Sequence, residues 1–157
     1  MLLYFLFAYF LERSDFLNLL LLYSGLFYAA WRIIQHTKFN FWTWAVIGIT
    51  ARVLFLPAIP NLSQDFYRFI WDGRLLVLGI NPYVFSPQQL SNGILNTTGL
   101  TSLEAISNAK VLIQGMGSLN ASHYSNYPPI NQLCFTLAAL FAKKSILGSV
   151  VVLRIII

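Results

Sequence analysis

Three charged side chains recur at helical spacing in one segment of the chain. Asp65, Arg68 and Asp72 stand at positions i, i+3 and i+7, which places them on one face of a helix. A carboxylate can take a proton from a hydroxyl group, and the planar fork of an arginine matches the oxygens of a phosphate. Asp65 is therefore a candidate base, and Arg68 and the nearby Arg74 are candidate phosphate ligands. The alternative is structural: Asp65 stabilises the helix dipole, and the arginines pair with carboxylates or lipid headgroups.

The spacing of the two aspartates disfavours a metal ion shared between them. Seven helical residues separate Asp65 from Asp72 by about 10.5 Å along the axis, too far for two short side chains to reach one ion. We expect Asp72 to pair instead with Arg68, four residues earlier. No metal ligand is assigned, no cofactor is certain, and a divalent metal would need ligands from elsewhere. Cys134, the single cysteine, is expected to be a packed apolar side chain.

Three further residues are candidates with an alternative beside each. His123 precedes a Tyr-Pro-Pro turn and could contact a phosphate or an acceptor, or simply lie at an interface. Tyr127 could stack on a sugar ring or belong to a belt of interfacial aromatic residues. Arg52 lies inside a hydrophobic run, and we expect its side chain to reach the outer interface, with a bound phosphate as the alternative.

A helix over residues 63–78 must position the charged face. Ser63 is a plausible N-cap, Asp65 lies in the first turn, and Gly79 is suited to the position that follows a helix end. Aromatic and aliphatic residues cover the remaining faces. An amphipathic helix of this kind is expected to lie along a membrane surface, with its polar stripe towards water or a groove.

A second loop helix is predicted over residues 101–114. Thr101 to Glu104 has the pattern of a capping box, and Gly115 and Gly117 are expected to end the helix. Residues 86–99 between the two helices are rich in Ser, Asn, Gly and Thr, which indicates a loop.

The composition indicates a membrane protein. The 157 residues are 57% hydrophobic and 10% charged, whereas a soluble domain carries about 25% charged residues. The basic residues behind the net charge of +5 form no patch or stripe, so a nucleic-acid partner is excluded. The excess apolar surface is expected to face a lipid bilayer.

Hydrophobic runs divide the chain into three parts. Residues 1–59 are predicted to form transmembrane helices, residues 60–127 a long loop, and residues 128–157 further transmembrane helices. The first and last helices are expected to be truncated. The predicted fold is an all-α, multi-pass membrane protein whose loop carries two surface-lying helices.

The basic residues predict the orientation. Arg32 and Lys38 lie in one turn between hydrophobic runs, and Lys143 and Lys144 lie in another, so both turns should be cytoplasmic. Residues 60–127 are then external.

Two stretches of the loop resemble a known family. Residues 62–74 read LSQDFYRFIWDGR and continue to GINPY at 79–83, and residues 123–129 read HYSNYPP. Together they resemble bacterial membrane glycosyltransferases of the GT-C class, which use polyprenyl-phosphate sugars, often mannose. The resemblance covers the loop and the order of helices around it. The chain departs from the family in having three predicted helices before this loop, where one is common.

The resemblance implies a function and a place for the chemistry. An acidic residue in the first large external loop serves catalysis in that family, and Asp65 matches its place. The expected activity moves a sugar, probably mannose in such enzymes, from a polyprenyl-phosphate donor to an external lipid or glycan acceptor at the bacterial inner membrane. Two other classes stay open. A flippase for lipid-linked glycans would need more polar residues near the membrane midplane, and a non-catalytic assembly partner would tolerate loss of the Asp65 charge.

Overall fold

A computed structural model describes residues 1–36, 40–92 and 105–157, and every regular element in those ranges is a helix. The predicted all-α class is thereby confirmed. In chain order the helices are α1 (Leu2–Tyr9), α2 (Phe16–His36), α3 (Phe41–Phe55), α4 (Asp65–Val77), α5 (Pro87–Ser91), α6 (Ala109–Ser122), α7 (Pro129–Ala142) and α8 (Ile146–Ile156). They divide into two compact units, Met1–Ser63 and Gln64–Ile157.

The first unit packs the short helix α1 against α2 and α3. Tyr9 donates a hydrogen bond from its hydroxyl to the Leu54 carbonyl at 2.9 Å. The side-chain amide of Asn61 donates to the carbonyls of Phe7 and Leu11, at 2.9 and 2.7 Å, and so satisfies carbonyls at the end of α1. These polar contacts join α1 and Leu11 to α3 and to Asn61, which follows α3, in a unit where few side chains are buried.

Helix α2 is the one helix in the described ranges that is long and apolar enough to cross a membrane. None of its residues is buried. Two hydrophobic runs lie within the regions predicted as transmembrane, at 39–59 and 130–142. The helices observed there have 15 and 14 residues, shorter than the roughly 20 that a span requires. Helix α3 ends at Phe55 because Pro57 has no N–H to donate to the preceding turn, although the apolar sequence continues. Lys38 lies outside the described residues.

The second unit is built around α4, which packs against α6, α7 and α8. Helix α5 packs on α6, and α8 packs on α7. Trp71 and Leu75 of α4 meet Leu112 and Met116 of α6 in the main core, and all four side chains are buried. Phe135 of α7 centres a smaller core with Leu153. Helix α4 is therefore an interior helix, and not one exposed along half of its surface.

Gly73 marks the crossing of α4 and α7. A Cβ atom at this position would lie 2.1 Å from the Phe135 carbonyl oxygen and 2.5 Å from its carbon. Only a glycine permits the two backbones to approach this closely.

The end of α4 follows the prediction made for Gly79. This residue has φ of 76°. The Gly79 N–H donates to Leu76 O at 3.0 Å and the Ile80 N–H donates to Leu75 O at 2.9 Å, which together form a Schellman motif. At the other end, the helix begins at Asp65 with Gln64 in the N-cap position, so the prediction of Ser63 as N-cap was one residue early.

The second loop helix differs from its predicted bounds of 101–114. The observed α6 runs from Ala109 to Ser122, and the proposed capping box at 101–104 lies outside the described residues. Gly115 does not end the helix. Gly117 interrupts it with non-helical angles (φ 76°, ψ 162°), after which a further turn carries the chain to Ser122.

Part of the segment predicted as a loop at 86–99 is helical. Ser86 accepts a hydrogen bond from the Gln89 N–H, and the Gln89 side chain accepts one from the Ser86 N–H, which is a capping box for α5. Pro87 occupies the first helical position, where its missing N–H costs little.

Candidate functional site

Asp65 lies exposed at the N-terminus of α4. The Asn120 side-chain amide donates a hydrogen bond to its Oδ1 at 3.3 Å. The preceding residue, Gln64, donates from Nε2 to the Met116 carbonyl at 2.9 Å, close to the interruption at Gly117. The end of α6 is thus held against the start of α4, and the Asp65 carboxylate remains open to solvent beside an amide donor.

Arg68 is buried, with 1% of its surface exposed, and most of its donors are used. Its Nε donates to Asp72 Oδ1 at 2.9 Å. Its Nη1 donates to the carbonyls of Asn120 and His123, at 3.0 and 2.9 Å. Nη2 has no partner among the described residues. Arg68 therefore satisfies carbonyls at the C-terminal end of α6, and one guanidinium nitrogen is left for any other contact.

Asp72 is the pairing partner of Arg68, as its i,i+4 spacing predicts, and it is fully buried. Its Oδ2 accepts hydrogen bonds from Ser125 Oγ at 2.6 Å and from Gln132 Nε2 at 3.0 Å. Gln132 Nε2 also donates to Ser125 Oγ at 2.7 Å. Burial of an ion pair is costly unless further hydrogen bonds satisfy it, and this pair has them.

The predicted orientation of the charged stripe was wrong for two of its three members. The sequence places Asp65, Arg68 and Asp72 on one face and suggests that this face meets water or a groove. The structure turns Arg68 and Asp72 towards the end of α6, residue 125 and α7, and only Asp65 is exposed. Periodicity identified the shared face but could not show that other loop segments cover it.

Tyr127 lies beside this network. Its ring packs edge-on against Phe69 and Phe135, with centroids 5.0 and 5.6 Å apart. The Tyr83 hydroxyl donates to its carbonyl at 2.5 Å. Burial raises the pKa of the Tyr127 phenol, with a smaller contribution in the same direction from the Asp65 carboxylate.

The remaining predicted residues occupy separate places. The ring of His123 is exposed, and its backbone carbonyl makes the contact with Arg68. Arg74 follows Asp65 by nine residues, about 13.5 Å along the helix axis, so the two side chains do not form one site. Arg52 has an exposed side chain in α3 of the first unit.

Three side chains of the site were not selected from the sequence. The sequence around Asn120, Asn-Ala-Ser, is a pattern that often arises by chance, and Ser125 lies within the stretch 123–129 without a predicted role. Gln132 carried a usable signal, because it is a polar residue in an apolar run one turn after two prolines.

The contact between Arg74 and Lys144 constrains the topology. Arg74 Nη2 donates to the Lys144 carbonyl at 3.1 Å. The predicted scheme separates these residues by a bilayer core of about 30 Å, which one arginine side chain cannot bridge. The predicted scheme, which places residues 143–144 across a bilayer from Arg74, is therefore incompatible with this contact.

No metal site is visible in the described ranges, where no group of three or more His, Cys, Asp or Glu residues is arranged to hold an ion. The site offers an exposed carboxylate, an amide donor and, beneath them, a buried ion pair in which Arg68 Nη2 has no hydrogen-bond partner among the described residues. Such an arrangement can accept a proton from a hydroxyl group at the surface.

Comparison with known proteins gave no match to a family model, to a curated protein or to a solved structure.

Proposed function

We propose that the protein is an integral membrane glycosyltransferase of the GT-C kind. It moves a sugar, with mannose the first choice, from a polyprenyl-phosphate donor to an external lipid or glycan acceptor. Asp65 accepts the proton of the acceptor hydroxyl. The hydroxyl oxygen attacks the anomeric carbon as the bond to the phosphate breaks, and polyprenyl phosphate leaves with inversion at that carbon.

One observation carries the proposal. The separate stretches that resemble the GT-C family, residues 62–74, 79–83 and 123–129, meet around α4. Ser125 N donates to Pro82 O at 3.4 Å, and the contacts of Arg68 and Asp72 join the first stretch to the third. Residues distant in sequence thus converge beside the one exposed carboxylate of that helix.

The apolar surface of the first unit supports a membrane location. Helix α2 buries none of its residues, and large side chains such as Phe16, Phe27 and Trp31 are exposed. Exposed apolar surface of this extent indicates contact with lipid. We propose the bacterial inner membrane, with α2 crossing it and with α3, extended by the apolar residues 56–59, returning the chain to the external side.

The proposed roles of the other residues follow their contacts. Arg68 and Asp72 act as positioning residues that hold Asn120 near Asp65. The Nη2 group of Arg68, which has no partner in the described part of the chain, is its remaining donor for a phosphate. We assign contact with the acceptor or the sugar to the exposed residue His123 and to the half-buried residue Tyr127.

The test compares Asp65→Asn with wild type in the full-length gene product, in membrane vesicles supplied with polyprenyl-phosphate mannose. A general base typically contributes about a hundredfold or more, so turnover should fall by about that factor while donor binding persists. Asp15→Asn is the matched control, because Asp15 also lies at a helix N-terminus, where it accepts from the Asn18 N–H at 3.1 Å. That variant should keep full turnover.

Other results would refute parts of the proposal. Full turnover in Asp65→Asn removes Asp65 as the base. Absence of transfer by the wild type with every polyprenyl-phosphate sugar overturns the proposed activity and favours an assembly partner or a transporter.

A further inference from the structure

A cleft of about 350 Å³ lies at the end of α4 remote from Asp65. Its described lining includes three basic residues, Arg74, Lys143 and Lys144, and no carboxylate. Both lysines are exposed, directly after the end of α7. A concave surface with one sign of charge concentrates ions of the opposite sign.

Arg74 is an unusual member of this lining because it is 5% exposed and has no carboxylate partner among the described residues. Its terminal nitrogens donate to the backbone carbonyls of Ser107 and Lys144. Its Nε is buried and has no hydrogen-bond partner in the described ranges. Burial lowers the pKa of this guanidinium. A buried cation that is balanced only by carbonyl dipoles gains from a bound anion.

The cleft is distinct from the proposed catalytic site. Arg74 follows Asp65 by nine residues, which is about 13.5 Å along the axis and half a turn around it, at 3.6 residues per turn. The two side chains therefore leave α4 at opposite ends and on opposite faces. The sequence grouped them by proximity, and the folded helix separates them.

The rest of the lining is apolar. Val77 and Leu140 flank the basic residues and are 45% and 53% exposed. A free phosphate would use the cations alone, whereas a phosphate carrying a hydrocarbon chain would also cover these side chains.

We propose that this cleft binds the phosphate group of an amphiphile, with Arg74, Lys143 and Lys144 as its ligands. The inference is independent of the proposed sugar transfer, since it involves neither Asp65 nor the network around Asp72. The same chemistry has two sources, a lipid headgroup and free phosphate, and the experiment separates them.

The experiment measures acetylation of individual lysines by mass spectrometry, with the full chain in uncharged maltoside micelles. The probes are dodecyl phosphate and inorganic phosphate. Lys110 is the internal control, because it is exposed on α6 and does not line the cleft. Dodecyl phosphate should slow acetylation of Lys143 and Lys144 severalfold, with Lys110 unchanged. Protection by dodecyl phosphate alone supports a lipid headgroup as the ligand, whereas equal protection by inorganic phosphate overturns the amphiphile and assigns the site to free phosphate.

A variant pair tests the ligands directly. Lys143→Gln combined with Lys144→Gln removes two exposed charges and should preserve the fold, whereas replacing the buried Arg74 can unfold the unit. Affinity for dodecyl phosphate, measured by calorimetry, should fall about tenfold, since one charge-assisted hydrogen bond contributes about that factor. Lys110→Gln should bind as wild type does. Unchanged affinity in the double variant, or equal protection of Lys110 in the labelling experiment, overturns the proposal.

Discussion

Replacing Gly73 with alanine should destabilise the second unit, against the usual preference for alanine in helices. The added Cβ would lie 2.1 Å from the Phe135 carbonyl oxygen, and real Cβ contacts essentially never fall below 3.0 Å. Both colliding atoms of Phe135 belong to the backbone, so no side-chain rotation can relieve the clash. Helices α4 and α7 must therefore move apart by about 1 Å at this crossing, a shift of the kind that overpacking produces.

The expected loss of stability follows from the contacts that join α4 and α7 at this crossing. Asp72, adjacent to Gly73, accepts from Gln132 Nε2 across the crossing at 3.0 Å, and an added separation of about 1 Å takes that bond beyond hydrogen-bond range. Loss of a bond to a charged group costs about 1.5–3 kcal/mol and overpacking about 1–3 kcal/mol. The higher helix propensity of alanine relative to glycine offsets about 1 kcal/mol of this loss. We expect a net loss of about 3 kcal/mol, or about 15 °C in Tm for a unit of this size.

Trp71 reports on this unit because its side chain is fully buried in the core. The assay is thermal unfolding followed by Trp71 emission in a background where the other three tryptophans are phenylalanine: Trp31, Trp42 and Trp44. Gly48→Ala is the matched control, since Gly48 lies within α3 and a Cβ atom added there would meet nothing within 4 Å. Gly48→Ala should leave the Tm reported by Trp71 emission unchanged. An unchanged or higher Tm for Gly73→Ala would refute the close crossing of α4 and α7.

Two further predictions concern the buried network. Asp72→Asn should lower the free energy of unfolding by about 3 kcal/mol, because it leaves the Arg68 guanidinium buried without its counter-charge. In urea unfolding, the double variant Arg68→Met/Asp72→Leu should lose less stability than the sum of its two single replacements. An additive loss would contradict the pairing. The raised pKa of Tyr127 means that the folded state holds the phenolic proton more tightly than the unfolded state. This contribution to stability is complete below about pH 10 and is lost as the pH rises further. Above that pH the free energy of unfolding should therefore fall more steeply with pH in wild type than in Tyr127→Phe. Parallel plots of stability against pH for the two proteins would contradict this contribution.

The parts of the fold that followed from the sequence are those fixed by local chemistry. The end of α4 at Gly79 needs only a positive φ and a following apolar residue, and the Arg68–Asp72 pair needs only helical spacing. The capping box at Ser86 has the same kind of local signal, a Ser followed by Pro and by Gln three residues later, inside a segment whose polar composition predicts a loop. Local sequence patterns are therefore sufficient to specify helix caps and helix ends in this chain.

The parts that could not be predicted depend on contacts between distant segments. Hydrophobic runs gave the approximate places of α3 and α7 but overstated their lengths as spans. The outward orientation assigned to Arg68 failed because its partners, the carbonyls of Asn120 and His123, lie more than 50 positions away. The assignment of Lys144 to the opposite membrane face failed for the same reason, since its contact with Arg74 joins residues 70 positions apart.

The buried pair is better understood as a positioning device than as a source of stability. Taking Arg68 and Asp72 out of water costs free energy that their attraction offsets only with good geometry, and apolar residues of similar volume often serve stability as well. An apolar replacement could not hold the carbonyls of Asn120 and His123, and it would release the end of α6. The Asn120 side chain that reaches Asp65 depends on that end being fixed. The arginine therefore affects the exposed carboxylate indirectly, through the backbone of the residue whose side chain contacts it.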